Sequence, residues 1–182
     1  MAAQLNLAAI YYNGQGIAQD YAEAVKWYRA AADKGNISGQ TMLAFAYING
    51  RGVAQNYAEA AKYYRMAAER GDQASQNNLG SLYYRGQGVA QDYAQSAKWY
   101  GLAADQGSPT AQANIAMMYA AGQGVPLDNV QAHKWYALAA TRFINSDQGR
   151  AAAAAGRDAV AAKMTVAQIA EAQRLARAWR QR

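Results

Sequence analysis

The chain has 182 residues, a formal net charge of +6 and no cysteine, which excludes a disulfide framework and a thiolate metal site. Residues 1–141 hold ten Lys and Arg against nine Asp and Glu, whereas residues 142–182 hold eight against three. The basic character therefore belongs to the C-terminal tail. The uncharged stretch 106–127 is interrupted by Gly, Gln, Asn and Pro too often for a membrane span, so we expect a soluble chain without a transmembrane segment.

A period of 36 residues organises most of the sequence. A glycine pair, a tyrosine three residues before it and an aromatic pair after it all recur at this spacing; the glycine pairs are Gly14/Gly16, Gly50/Gly52, Gly86/Gly88 and Gly122/Gly124. A fixed period of this size is typical of stacked repeats, in which each unit packs on its neighbours. The sequence therefore predicts an all-α fold of four helix-turn-helix repeats, at about 1–35, 36–71, 72–107 and 108–142.

The first helix of each repeat is predicted from an apolar stripe at i, i+3, i+4 spacing, such as Leu79, Leu82 and Tyr83. The four helices are expected at about 2–13, 37–49, 73–85 and 109–121. Natural N-cap residues precede three of them, namely Asn36, Asp72 and Ser108. The first glycine of each pair is expected to end the helix, because glycine adopts the left-handed conformation without steric cost.

The second helix of each repeat is predicted to begin with a capping box, in which a side chain and a backbone donor are satisfied reciprocally. The four sequences are Asp20-x-x-Glu23, Asn56-x-x-Glu59, Asp92-x-x-Gln95 and Asp128-x-x-Gln131. Phe143 stands where the fourth repeat should have its closing glycine, and no fifth repeat follows. Residues 143–182 are therefore predicted to form C-terminal capping helices at about 147–163 and 166–180, the latter after a further box, Thr165-x-x-Gln168.

The repeat carries two motifs in constant register, L-G/A-x-x-Y-x-x-G-x-G-V at the turn and A-x-K-W/Y-Y-x-x-A-A-x-x-G in the second helix. Over residues 1–142 this combination resembles the Sel-one-like repeat family, relatives of the tetratricopeptide repeats. Residues 164–179 are similar to the closing segment common in bacterial members. The resemblance implies a right-handed α/α superhelix that acts as a scaffold or adaptor for protein partners and is not an enzyme.

The motifs that could indicate chemistry have structural explanations. The Gly-x-Gly turns follow helices and lack both a third glycine and a Lys-Ser/Thr pair, so they do not match nucleotide-binding loops. His133 is the only histidine, whereas a metal ligand or general base needs partners within reach. The aromatic residues at the repeat positions of Trp27, Trp99, Trp135 and Tyr11 are expected in the core. We expect no catalytic residue, no metal site and no cofactor.

A binding surface is predicted on the face of the first helices opposite the core stripe. In tetratricopeptide relatives the first helix lines the concave groove, and here these positions carry apolar and aromatic residues edged by amides and an arginine. Exposed patches of this kind usually mark interaction sites, although neighbouring helices could cover part of this one. The predicted groove residues are Tyr12, Asn13, Phe45, Ile48, Asn49, Asn77, Tyr84, Arg85 and Met117.

The basic tail offers an alternative function. Arg174, Arg177 and Arg180 recur on one side of the last predicted helix, where they form either the solvated face of a capping helix or an electrostatic contact to an anionic membrane or nucleic acid. The tail lacks a dense Lys/Arg run, so we expect a protein or peptide partner and no nucleic acid.

The first repeat begins inside its helix without a cap residue, which predicts a leader, linker or further repeats upstream. Its apolar residues Leu5, Leu7 and Ile10 predict either a monomer or a weak end-to-end dimer. The compartment, whether cytoplasm or bacterial periplasm, is left open by the sequence.

Overall fold

The computed structural model describes residues 2–144 and 146–180, with the side chains of residues 2, 3 and 180 left out. These residues form ten α-helices and no β-strand, which confirms the predicted all-α class. The helices are α1 (Ala2–Asn13), α2 (Tyr21–Ala32), α3 (Ile37–Asn49), α4 (Tyr57–Ala68), α5 (Gln73–Arg85), α6 (Tyr93–Asp105), α7 (Pro109–Ala121), α8 (Asn129–Arg142), α9 (Asp147–Ala161) and α10 (Val166–Arg180). The four predicted first helices and α10 have the expected bounds, and α9 ends two residues early.

The helices form two compact units that divide between Gln91 and Asp92. In the first unit, α1 packs on α2, α2 on α3, α3 on α4 and α4 on α5. In the second unit, α6 packs on α7, α7 on α8, and α8 on both α9 and α10. Contacts therefore run mainly between helices adjacent in the chain, as they do in a repeat array.

The caps of the first helices are confirmed. Asn36, Asp72 and Ser108 adopt extended backbone conformations, and each side chain accepts a hydrogen bond from the backbone N–H three residues further on. At the other end Gly50 and Gly86 are left-handed C-caps, with φ of 65° and 66°. The cap residues of each of these first helices therefore determine where the helix begins and ends.

Only half of the predicted capping box forms at the second helices. Asp20 Oδ1 accepts from the Glu23 backbone N–H at 2.9 Å, and the equivalent bonds recur in the other three repeats. The reciprocal half is wrong: the Asp20 backbone N–H donates instead to the Tyr11 carbonyl at 2.9 Å, while the Glu23 side chain pairs with Lys26. The end of the preceding first helix supplies the acceptor that the box was expected to supply. The box before α10 is complete, since Thr165 and Gln168 bond reciprocally at 2.8 and 3.2 Å.

The core contains aromatic rings and, unexpectedly, glutamines. Trp99 and Trp135 are buried as predicted, whereas Trp27 and the tyrosines of the Tyr11 series are only half-buried. Gln76 and Gln112 are buried, and their Nε2 atoms donate to the Ala68 and Ala104 carbonyls at 3.1 Å. Each glutamine thereby adds a second hydrogen bond to a carbonyl at the end of the preceding second helix, which also accepts from the Gly71 or Gly107 backbone N–H.

His133 lies on α8 with 4% of its surface exposed. Burial lowers the pKa of His133, Arg157 on α9 lowers it further, and Asp158 opposes the change. Because the folded state favours neutral imidazole, the unfolded chain binds more protons as the pH falls through the ordinary histidine value near 6.5. This contribution to stability is present above that value and lost below it.

We therefore expect the free energy of unfolding to fall between pH 7.5 and pH 5, and a His133→Gln variant to lose less over this interval. Urea unfolding of both proteins at the two pH values measures the difference. An identical pH dependence in the two proteins would show that His133 is not the titrating group.

Candidate functional site

A cleft of about 220 Å³ opens between α3, α4 and α5 in the first unit. Four of the predicted groove residues line it, namely Phe45, Ile48, Asn49 and Arg85. The structure adds Tyr57, Tyr64, Asn78, Ser81, Leu82 and Gln87. Within this unit, the predicted first-helix positions of two successive repeats therefore share one concave site.

The first repeat shows why a cleft forms in the second. The ring of Tyr12 lies edge-on to Tyr21 and Tyr28, with ring centroids 5.0 and 6.3 Å apart. The residue 36 positions later is Ile48, which has no ring to place against the equivalent tyrosines, Tyr57 and Tyr64. The space that an aromatic ring fills in the first repeat is thus open in the second.

The turn residue changes together with the helix residue. Arg51 Nη1 donates to the Tyr12 hydroxyl at 2.6 Å, and its guanidinium lies 5.4 Å from the centroid of the Tyr21 ring. The equivalent turn residue one repeat later is Gln87, which lines the cleft and is shorter than an arginine. Both exchanges, Tyr to Ile and Arg to Gln, enlarge the same site.

The end of α3 is held in place by amide hydrogen bonds. Asn49 Nδ2 donates to the Phe45 carbonyl at 2.8 Å, and Gln55 Nε2 donates to the Ile48 carbonyl at 2.6 Å. Gln55 Nε2 also lies 3.1 Å from the Tyr57 hydroxyl. These bonds satisfy carbonyls at a helix C-terminus and fix the wall on which Phe45, with 38% of its surface exposed, is presented.

Tyr64 is the most buried aromatic residue of the cleft, with 2% of its surface exposed. Burial raises the pKa of Tyr64 to about 12, and a hydrogen bond with Asn78 partly opposes the change. The hydroxyl is therefore neutral at ordinary pH. With Arg85 exposed at the end of α5, the cleft combines apolar and aromatic walls, side-chain amides and one cation.

The other predicted groove residues lie outside this lining. Tyr12 is half-buried against Arg51 and its neighbouring tyrosines, and Asn13 is exposed at the end of α1. Asn77 and Tyr84 are half-buried on α5, and Met117 is half-buried on α7 in the second unit. Their participation in binding stays a prediction.

The predicted groove set lacked six of the lining residues: Tyr57, Tyr64, Asn78, Ser81, Leu82 and Gln87. The two tyrosines belong to the second helix, whereas the groove was predicted from first helices alone. One signal was present in the sequence, since Ile48 breaks the aromatic character of the Tyr12 and Tyr84 positions.

The C-terminal arginines, which carried the alternative prediction, are partly engaged. Arg174 donates two hydrogen bonds to Glu171, both of 2.7 Å, and this contact lowers the pKa of the glutamate. Arg177 is exposed, and the side chain of Arg180 lies outside the described residues. None of the described helices is both long and apolar enough to cross a membrane. Among the described residues, no group of His, Cys, Asp and Glu could hold a metal ion.

Helix pairs that recur every 36 residues, with contacts mainly to the next helix, define a repeat protein of the α/α solenoid class. The Sel1 repeat model matches residues 2–36, 37–72, 73–108 and 109–142, and the chain belongs to the Sel1 repeat family. No curated protein sequence matches the chain.

The similar solved structures include two of bacterial proteins. A Sel1 repeat protein from Oxalobacter formigenes is 36% identical over 78% of this chain and 58% of its own, with a TM-score of 0.73. A protective antigen of uropathogenic Escherichia coli strains, which displays an SLR fold, is 30% identical over 98% of this chain and 45% of its own, with a TM-score of 0.65. The chain thus spans about half the length of these two proteins. Sel1 repeat proteins in general mediate protein–protein interactions, and the family is a non-enzymatic scaffold type.

Proposed function

We propose that this chain is a non-enzymatic adaptor that binds a segment of a protein partner in the cleft between α3, α4 and α5. The observation that carries the proposal is the open space at Ile48, which is flanked by aromatic rings and edged by amides and Arg85. An apolar side chain of the partner would pack against Phe45 and Ile48, where desolvated aromatic contacts supply most of the binding energy.

Polar groups at the cleft give the partner segment its direction. Asn49, Asn78 and Gln87 carry amides that can pair with the N–H and C=O groups of an extended peptide. Arg85 suits an acidic residue or a carboxylate on the same segment. The proposed ligand is therefore a short peptide segment with one large apolar side chain followed or preceded by an acidic group.

The test places a tyrosine at position 48, where the first repeat has Tyr12, so that its ring fills the cleft. Peptides are selected from a random library on the wild-type chain, and their dissociation constants are compared for wild type, Ile48→Tyr and Phe45→Ala. We expect each substitution to weaken binding by tenfold or more, because the tyrosine occupies the open space and the alanine removes the exposed ring.

Met66→Ala is the matched control, since Met66 is an exposed apolar residue on α4 that does not line the cleft. It should leave the dissociation constant unchanged. Equal affinity for wild type and a folded Ile48→Tyr variant, or failure of the library to yield any ligand, would contradict the proposal.

A further inference from the structure

A second cavity, of about 400 Å³, lies in the other unit, beside Gly101 on α6. We call it the Gly101 socket. It lies between α6, α7, α8 and the turn that follows α7. Its walls include Lys98, Asp105, Tyr119 and Trp135. A Cβ added to Gly101 would meet no atom within 4 Å, so the space above this glycine is open.

The two earlier repeats show what occupies the equivalent space. The residues 36 and 72 positions before Gly101 are Arg65 and Arg29. Arg29 Nη2 donates to the Tyr47 hydroxyl at 2.8 Å, and Arg65 Nη2 donates to the Tyr83 hydroxyl at 2.7 Å. The guanidinium of Arg65 also lies 5.9 Å from the centroid of the Tyr83 ring.

At the third of these positions the acceptor is kept and the donor is lost. Tyr119 of the fourth repeat corresponds to Tyr47 and Tyr83, but the third repeat has only a glycine, Gly101, at the arginine position. The carboxylate four residues further on is kept as well, since Asp105 corresponds to Asp33 and Glu69. The socket therefore retains the tyrosine that accepts from the arginine in the earlier repeats, and a carboxylate at the matching position of α6.

The electrostatics favour a cation at this place. Burial raises the pKa of Tyr119, and the negative charges of Asp128 and Asp105 raise it further. Lys98 also lines the socket, with its Nζ 5.2 Å from the centroid of its neighbour Trp99. Its equivalents Lys26 and Lys62 coexist with the arginines of the first two repeats, so this lysine position does not exclude a guanidinium.

We propose that the Gly101 socket binds the side chain of an arginine supplied by a protein partner, in the position that Arg29 and Arg65 occupy within the chain itself. The guanidinium donates to the Tyr119 hydroxyl and lies against the aromatic wall, with Asp105 as its counter-ion. The site is separate from the α3–α5 cleft; only the choice of a protein as the source of the arginine rests on the proposed function.

The test uses ethylguanidinium as the probe and neutral ethylurea as its nearly isosteric control, at constant ionic strength. In NMR titrations of the full chain we expect saturable shifts of the Gly101, Tyr119 and Trp135 signals with ethylguanidinium, and at least tenfold weaker binding of ethylurea. Equal affinity for the two probes, or shifts confined to other residues, would overturn the proposal.

Two substitutions at one position make the test specific. Gly101→Arg should fill the socket from within and abolish the shifts, whereas Gly101→Ala should preserve them. Both remove a helical glycine, so the comparison cancels the gain in helix propensity. Gly101→Arg should also have the higher melting temperature of the two; a lower value, or retained probe binding, would show that the socket is not equivalent to the arginine sites.

The peptide acetyl-Gly-Arg-Gly-amide, compared with its citrulline counterpart, tests the source of the arginine. Tighter binding of the arginine peptide than of ethylguanidinium supports a protein partner, while weaker binding overturns that source. Ile48→Tyr should leave all socket titrations unchanged. The socket can thus be confirmed even if no ligand of the cleft is found, and the reverse also holds.

Discussion

Replacing Gly88 by alanine is expected to destabilise the chain by about 3 kcal/mol or more. Gly88 has φ of +70°, and a Cβ there would lie 2.1 Å from the Tyr57 carbonyl carbon and 2.5 Å from the Ala58 nitrogen. The left-handed conformation alone costs a non-glycine residue about 1–2 kcal/mol. Overpacking adds about 1–3 kcal/mol, and here the neighbour is helix backbone that cannot rotate away as a side chain would.

The first repeat supplies a matched control. Gly16 is the equivalent glycine, with φ of +75°, but a Cβ there would meet nothing within 4 Å. Gly16→Ala should therefore cost only the conformational term, about 1–2 kcal/mol. Urea unfolding of both variants measures the difference, and equal losses would show that contact with α4 contributes nothing.

The same close approach of a turn glycine to the backbone of a second helix occurs in the second and fourth repeats. A Cβ at Gly52 would lie 2.1 Å from the Tyr21 carbonyl oxygen, and one at Gly124 would lie 2.1 Å from the Tyr93 carbonyl oxygen. At Gly52, Gly88 and Gly124 the second glycine of the pair thus allows the turn of one repeat to lie directly on the first turn of the preceding second helix. It is a stacking residue, whereas the first glycine ends a helix.

The two glycines of a pair show which features of the fold the sequence predicts and which it does not. The helix stop at Gly86 follows from local backbone conformation, and it was predicted together with the period and the bounds of the first helices. The role of Gly88 depends on its close approach to Tyr57 at the start of α4, about 30 residues earlier in the chain. A local sequence pattern cannot predict such a contact. The reciprocal capping box at Asp20 was wrong for the same reason, since its amide bonds to Tyr11 in the preceding helix.

The candidate site was predictable in part. Periodicity alone placed Phe45, Ile48 and Arg85 on the free face of the first helices, and these residues line one cleft. The cleft itself arises from a difference between repeats, because Ile48 has no ring where Tyr12 has one. The Gly101 socket arises in the same way, because a glycine replaces the arginine of the earlier repeats. A consensus describes what repeats share, so it conceals sites that form where one repeat departs from the others.

Raising the pH from 8 to 11 is expected to destabilise the chain, and Tyr64 should account for a large part of the loss. Because burial raises the pKa of Tyr64 from 10 to about 12, the unfolded chain loses this proton near pH 10 while the folded chain keeps it. The stability that neutral Tyr64 contributes is present below pH 10 and lost as the pH rises to about 12. The full difference corresponds to about 3 kcal/mol, and about half of it should be lost by pH 11.

Tyr64→Phe isolates this contribution from the other buried tyrosines, because burial also raises the pKa of Tyr28 and Tyr136. Urea unfolding at pH 8 and pH 11 should show a loss about 1 kcal/mol smaller in the variant than in the wild type. An equal loss in the two proteins would place the alkaline transition elsewhere. A smaller loss in the variant would mean that the buried hydroxyl of the cleft keeps its proton up to about pH 12, so that any partner segment meets a neutral hydrogen-bonding group beside the charged Arg85.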